Sequence, residues 1–209
     1  DHLVPVSSRS PYEAQLGTLI HDLHPSLQRY FATIPHGHVG IGSGVFSEVG
    51  TPRRWLWPFI ALVEGRGVVF AGWEREVPFR VINRTVCRSA VAVREFDLPR
   101  GLWTMTDEVV QSPRGGVSDR LGSPATVAVA FDIAVQGGAL ELTSRRAAFA
   151  VGPFRFTFPR PVSPRISLCE SYDELTGKQR IELSVTMPLI GRVYGYTGLF
   201  TYRIEKDIP

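Results

Sequence analysis

Lysine is almost missing from this chain of 209 residues: among 23 basic residues only Lys178 and Lys206 are lysines. The rest are arginines, scattered except for the pairs Arg53-Arg54 and Arg145-Arg146, and the net charge is only +3. Without a basic block there is nothing to track a phosphate backbone, which argues against a nucleic-acid partner. Cysteine is scarce too. Cys87 and Cys169 stand far apart, with no CxxC and no ligand-like Cys/His spacing, so metal and redox chemistry are not expected. They are read as reduced core thiols of a cytosolic protein. Long apolar runs are also lacking. Trp55–Val63 is nine residues, against the roughly 20 that a membrane span needs, so no stable membrane insertion is expected. The opening DHLVPVSSRS has neither the basic region nor the apolar run of a secretory leader. Cytoplasmic placement is the expectation.

What is present is a globular composition, 44% hydrophobic, read as one domain over residues 10–209 behind a loose tail at 1–9. The plainest stretch is Arg165–Glu205. Ile181, Leu183, Val185 and Met187 alternate with Arg180, Glu182, Ser184 and Thr186, the period of two of a half-buried strand. Tyr194, Tyr196, Phe200 and Tyr202 share one face of the following strand. Upstream the same grammar predicts strands at 76–87, 90–97, 102–111, 116–121, 126–135, 139–146 and 149–158, separated by Gly/Pro joints such as Pro113–Gly116 and Gln136–Gly138. His36-Gly37-His38 opens a first strand reaching Val49, whose Gly40, Gly42 and Gly44 suit close backbone approach.

Helices are expected near the N-terminus. Ser10, Pro11 and Glu13 read as a capping box with proline in the first turn, and Leu16, Leu19, Ile20 and Leu23 follow at helical spacing. His24-Pro25 starts a second helix through Leu27, Tyr30, Phe31 and Ile34. Arg53–Glu64 predicts a third, kinked at Pro58, with Trp55 and Trp57 buried against the sheet as a cap on the barrel end. The alternative for so basic and tryptophan-rich a stretch is a helix lying in a membrane interface, for which few charges flank the run. The fold class is therefore mainly β (α+β): an antiparallel up-and-down barrel, or a strongly curved sheet, of about ten strands with N-terminal helices packed over it.

The stretches VREFDLPRGLWTMTDEV, DRLG, GGALELTSR, PRPVSPRISLCESYDE and MPLIGRVYGYTGLFTY, within Val91–Tyr202, carry a resemblance. This chain resembles a bacterial domain family of unknown function that occurs alone or C-terminal to saccharopine-dehydrogenase-like reductase modules. The helix at Tyr12 also fits. Members often carry Trp-x-Arg-x-Phe where this chain has Val91–Phe96, a departure at that anchor. The resemblance implies a metabolic setting and a possible reductase partner, but no activity. No cofactor is expected: no GxGxxG follows a strand, and Gly40–Gly44 lacks the helix that should come next.

No catalytic set is assigned. Gly42-Ser43-Gly44 is not a nucleophile elbow. Asp107-Glu108 point to opposite faces of a strand and Asp173-Glu174 sit in a turn, so neither makes a two-carboxylate site. His36 and His38 share a strand face but lack a third ligand, so no metal is expected.

The candidate ligand-binding residues are Arg94, Glu170, Tyr194, Tyr196 and Trp103. Arg94 shares its strand face with Ala90, Ala92 and Phe96; Glu170 shares its face with Ile166 and Leu168. Two charges thus stand where the pattern asks for apolar atoms, and buried charges need partners. The alternative is a one-residue slip of phase that turns either to solvent. The function this implies is binding of a small hydrophobic or amphipathic ligand in a barrel cavity. The alternatives are an enzyme using the same cavity, an isomerase or reductase-associated activity, and a non-catalytic interaction module. A cavity of about 300 Å³ favours a ligand; a packed lumen favours the module.

Overall fold

A computed structural model describes residues 9–123, 125–151, 154–157 and 159–207. Gly/Pro joints close most of the hairpins between alternating segments: β1 (His38–Gly50), β2 (Trp73–Val86), β3 (Ser89–Leu98), β4 (Gly101–Gln111), β5 (Val117–Leu121), β6 (Val127–Gln136), β7 (Ala139–Val151), β8 (Phe154–Thr157), β9 (Arg165–Asp173), β10 (Lys178–Met187) and β11 (Gly191–Lys206). Strands pair antiparallel in chain order through β7. The first half of β7 then pairs with β9, while β8 lies along its second half. β1 meets β11 from His38↔Lys206 to Gly50↔Gly195, closing a ten-strand barrel with β8 as an appended strand. The expected break near residue 147 is instead a bulge: β7 continues through Arg145 and Arg146, with the register shifting opposite Ala130/Phe131. The end of the expected 149–158 strand, Phe158, lies outside the described residues, as does the expected tail apart from Arg9.

The closing seam has a simple composition. β1 turns Gly40, Gly42 and Gly44 toward the aromatic face of β11. A methyl on Gly40 would collide with the Tyr202 ring, and one on Gly44 would run into the Leu199 carbonyl oxygen and Phe200. Strand propensity is sacrificed so that large rings can lie across a bare backbone. The lumen is filled by those rings. Phe46 stacks on Phe79 at 3.9 Å and on Phe96 at 5.3 Å, and Tyr196 leans on it at 4.9 Å. Phe200 and Tyr30 continue the column toward one end, and Trp103 and Phe70 toward the other.

The N-terminal helices plug the first of these ends. α1 (Pro11–Leu16) passes into a 3₁₀ turn, Gly17–Asp22, before α2 (Pro25–Phe31). The capping box does not form: the Ser10 side chain caps nothing. Glu13 instead reaches Thr33, accepting from its amide at 3.1 Å and its hydroxyl at 2.5 Å. Leu16, Ile20, Leu23, Leu27, Tyr30 and Phe31 are all buried. Backbone and ring contacts moor the plug to hairpins of this end, through His24 N–H to the Gly138 carbonyl, Ile34 N–H to Thr85, and the His24 ring stacked on Tyr172.

The opposite end is crossed by a 3₁₀ turn, Arg54–Leu56, and α3 (Trp57–Glu64). Pro58 sits in the first turn of α3, where it has no intrahelical bond to break and causes no kink. The expectation that the indoles are buried is overturned for Trp55 alone. Trp55 is 55% exposed, and Trp57 is half-buried, its indole N–H donating to the Thr51 carbonyl at 2.9 Å. The core position at this end is taken by Phe70, from the loop before β2, packed on Trp103 and Tyr194. Cys87 is exposed in a turn at φ +55 and Cys169 is half-buried, so neither is the core thiol expected.

At the seam, Gly44→Ala should destabilise more than Gly40→Ala, because a backbone carbonyl cannot swing aside as a tyrosine ring can. Urea unfolding should show a loss of about 1–3 kcal/mol for Gly44→Ala, the usual range for overpacking; a wild-type midpoint would refute the close-approach account.

Candidate functional site

The alternation that builds the strands also turns charged groups inward. Arg94 on β3 points into the lumen with a largely buried side chain, and pairs with Asp107 on β4. Asp107 sits between the buried Met105 and Val109, on the same strand face, and is only 3% exposed. Asp119 belongs to the neighbouring β5, where its register partner is Val109. Glu170, also 3% exposed, enters from β9, flanked in register by Leu140 and Ile181. Four ionisable side chains thus form a layer inside a barrel whose core is mostly apolar.

The electrostatics follow from burial. Loss of water pushes the Glu170 carboxyl up to about 8, against the opposing pull of Arg94. Burial likewise raises Asp119 to about 6, with Arg94 and the Arg120 amide working the other way. Burial opposes the Arg94 charge, yet Tyr196, Tyr30 and Asp119 around it more than offset this, and its pKa is raised. Tyr196 is held up at about 12, chiefly by burial. At neutral pH the layer is therefore a fixed cation with its Asp107 partner, a largely ionised Asp119 and a largely protonated Glu170.

Between this layer and the helical plug lies a cavity of about 40 Å³. Tyr12, Tyr30, Phe31, Asn83, Arg94, Asp107 and Glu170 are among its walls. Glu170 Oε2 is buried there with no hydrogen-bond partner among the described residues; Asp119 Oδ1, also buried, has none either. Two wider concavities, of about 460 and 380 Å³, lie along β7, β9, β10 and β11 and along β1 and β11. The first includes Cys169, whose thiol is pushed up by burial and then by Glu141 and Glu182, which disfavours the nucleophilic thiolate.

The structure brings Arg94, Glu170 and Tyr196 together and sets Tyr194 and Trp103 apart. Tyr194 is buried against Phe70 near α3. Trp103 stacks on Phe70 and Phe96, its indole N–H reaching toward the Glu64 carbonyl at 3.5 Å. Neither lines the cavity, and Tyr196 adjoins Arg94 and Glu170 without being one of its walls. The partner of Arg94 is Asp107 rather than Glu170. Asp107-Glu108 do point to opposite faces: Glu108 is outside, accepting from Ser89 at 2.6 Å. His36 lies in a turn ahead of β1, so the two histidines do not share a strand. Among the described residues no cluster of His, Cys, Asp and Glu is placed to hold a metal ion. Asp107 and Asp119 were readable by the rule that picked out Arg94, since Met105-x-Asp107-x-Val109 and Val117-x-Asp119-x-Leu121 put each acid on an apolar face. Tyr12 and Tyr30 carried only a helical stripe with no sign of where it docks.

A family model described as a domain of unknown function, DUF4166, matches residues 23–200. The chain belongs to this family. The DUF4166 span includes the whole charged layer and α2, and begins after α1, so Tyr12 lies outside it. The uncharacterized protein YndH of Bacillus subtilis (strain 168) is 23% identical over 188 residues, covering 86% of this chain and 91% of that protein. No solved structure matches.

Glu170 supplies a test of the layer. Its pKa is about 8 when folded against 4.5 for an ordinary glutamate, so folding favours the protonated form. That contribution is full below about 4.5 and is lost as pH rises through 8. Glu170→Gln should therefore gain stability relative to wild type between pH 5 and 9, by a few kcal/mol in urea titrations. Arg94→Met should instead lose about 3–5 kcal/mol by stranding Asp107. In double-mutant cycles Arg94 should couple to Asp107 more strongly than to Glu170. A pH-independent difference between wild type and Glu170→Gln would show that Glu170 is solvated.

Proposed function

We propose that the barrel binds a small amphipathic molecule, its polar head at the Arg94–Asp107–Glu170 layer and its apolar part in the space now held by Tyr12, Tyr30 and Phe31. The observation that carries this reading is Glu170: a buried carboxyl lining a cavity with an oxygen that nothing among the described residues satisfies. An orphaned buried acceptor costs about 1–3 kcal/mol, and such groups ask for a partner. The cavity of about 40 Å³ has room for a few water molecules only, so binding requires α1 and α2 to move. The plug makes this feasible, because it meets the barrel through packing, a ring stack at His24 and isolated hydrogen bonds at His24 and Ile34, with no backbone ladder. Tyr196 joins Arg94 and Glu170 in this reading; Tyr194 and Trp103 support the core beyond it. The resemblance to domains carried behind reductases supports a cytoplasmic, metabolic setting with a reductase as partner.

A second reading rests on the two raised carboxyls. Groups near 6 and 8 in one lumen are suited to hold and release a proton near neutral pH, as an isomerase-type enzyme would need.

Native mass spectrometry of protein purified from its own host tests the proposal. Wild type should carry a non-covalent small molecule, and Glu170→Gln should carry at least tenfold less while remaining folded. Bare wild-type protein would overturn the ligand reading and leave the packed lumen as the core of an interaction module.

A further inference from the structure

We propose that the end of the barrel crossed by α3 docks on an anionic lipid surface. This surface lies opposite the plugged end and is independent of what the lumen binds. Large apolar side chains that water should reject are gathered here. Along the turn and α3, Trp55, Phe59 (63% exposed) and Leu62 (80% exposed) recur at i, i+4 and i+7, one stripe of a helix. Leu102 at the start of β4, Val162 in the 3₁₀ turn Arg160–Val162 before β9, and Leu189 in the β10–β11 turn are exposed at the same end. Leu189 is fully exposed at φ +66, so the turn holds an apolar side chain outward in a conformation that a branched residue adopts at a cost.

The stripe is held in place from beneath. At one end of the segment Arg53 Nε donates to the Arg192 carbonyl at 3.3 Å, tying it to β11. At the other, Arg100 donates to the Glu64 carboxylate at 3.0 Å, tying it to the β3–β4 hairpin. Between them the Trp57 indole is fixed on the Thr51 carbonyl at 2.9 Å. The inner face is thus committed to the barrel, which leaves Trp55, Phe59 and Leu62 facing away from it.

Charge and shape select the occupant. Arg53 and Arg54 flank the stripe, both exposed, and neither has an acidic partner among the described residues. Glu64, the acid of α3, is taken by Arg100. Arg54 lies over the Trp57 ring at 5.7 Å. Arginine beside tryptophan and leucine is the composition of an interfacial segment, apolar side chains entering the headgroup boundary while cations meet anionic lipid. The apolar groups come from separate tips, a helix and two turns, rather than the walls of a groove, as suits a soft planar partner. No described helix is long and apolar enough to cross a membrane, so the contact is peripheral.

Co-sedimentation with vesicles decides this, using phosphatidylcholine alone and phosphatidylcholine mixed with phosphatidylserine. Wild type should bind the mixed vesicles and not the neutral ones, and binding should fall with salt. Arg53→Ala and Arg54→Ala should each weaken it roughly fivefold. The double variant Phe59→Ser/Leu62→Ser should weaken it at least tenfold with an unchanged unfolding midpoint, since both side chains are exposed. Absence of wild-type binding to the mixed vesicles, or equal binding by the double variant, overturns the proposal. So does a wild-type dimer in sedimentation equilibrium that Leu62→Glu splits, which would assign the face to a second copy.

Discussion

The barrel exists as a container because β1 and β11 meet. Their pairing joins the first strand to the last over all of β1 and over β11 from Gly195 to Lys206. It is the least local contact in the fold, and every other pair of neighbouring strands lies closer along the chain. The seam is possible only because one strand presents glycines and the other rings. With side chains on both, Tyr202 and Phe200 could not lie where they do. An open sheet of the same strands would leave two edges to be protected, and its inward charges would meet water.

Closure is what makes those charges costly. In an open sheet Arg94 and Glu170 would titrate as surface groups. Inside a sealed lumen the guanidinium cannot shed its proton, so the structure must supply an anion, and Asp107 does so from the adjacent strand. Glu170 has the other escape open to a buried carboxyl, which is to keep its proton. A hydrophobic layer of similar volume would be no less stable by the usual accounting of buried ion pairs. The acids therefore need an explanation other than stability.

The β architecture was legible because a period of two needs only adjacent residues to be seen. Strand boundaries match the observed ones within a few residues at most Gly/Pro joints, but the expected strand 149–158 is divided between the end of β7 and β8. Arg145-Arg146 misled because a bulge absorbs one residue without a turn. The helical segments were read less well, since their ends are decided by tertiary contacts: Glu13 satisfies Thr33, twenty residues on, rather than its own helix. The helix start at Thr51-Pro52 and the short apolar run point Trp55 inward, but Phe70 occupies that core position from a loop with no periodic signal. In the candidate site, Arg94 and Glu170 were visible as charges on apolar faces, while their neighbours depend on how far the sheet curls. Trp103 and Tyr194 share faces with core residues, yet they lie toward the other end of the lumen; alternation gives the face of a residue and not its depth along the barrel.

The same hydrogen-bond inventory says which part of the molecule opens first. Each barrel strand is laddered on both sides, and breaking one exposes two rows of backbone groups. The plug is different. α1 and α2 are each about two turns or less, too short to be stable alone. They join the barrel mainly through Leu16, Leu27 and Tyr30 packing, a ring stack at His24 and a few bonds to hairpins. Local opening follows the weakest set of contacts, so this segment should detach while the ten strands remain closed. When it does, Tyr12, Tyr30 and Phe31 leave the mouth together, and the group uncovered beneath them is the Glu170 carboxyl. Glu170, an acid whose Oε2 has no hydrogen-bond partner among the described residues, thus lies under the segment that the fewest contacts hold to the barrel.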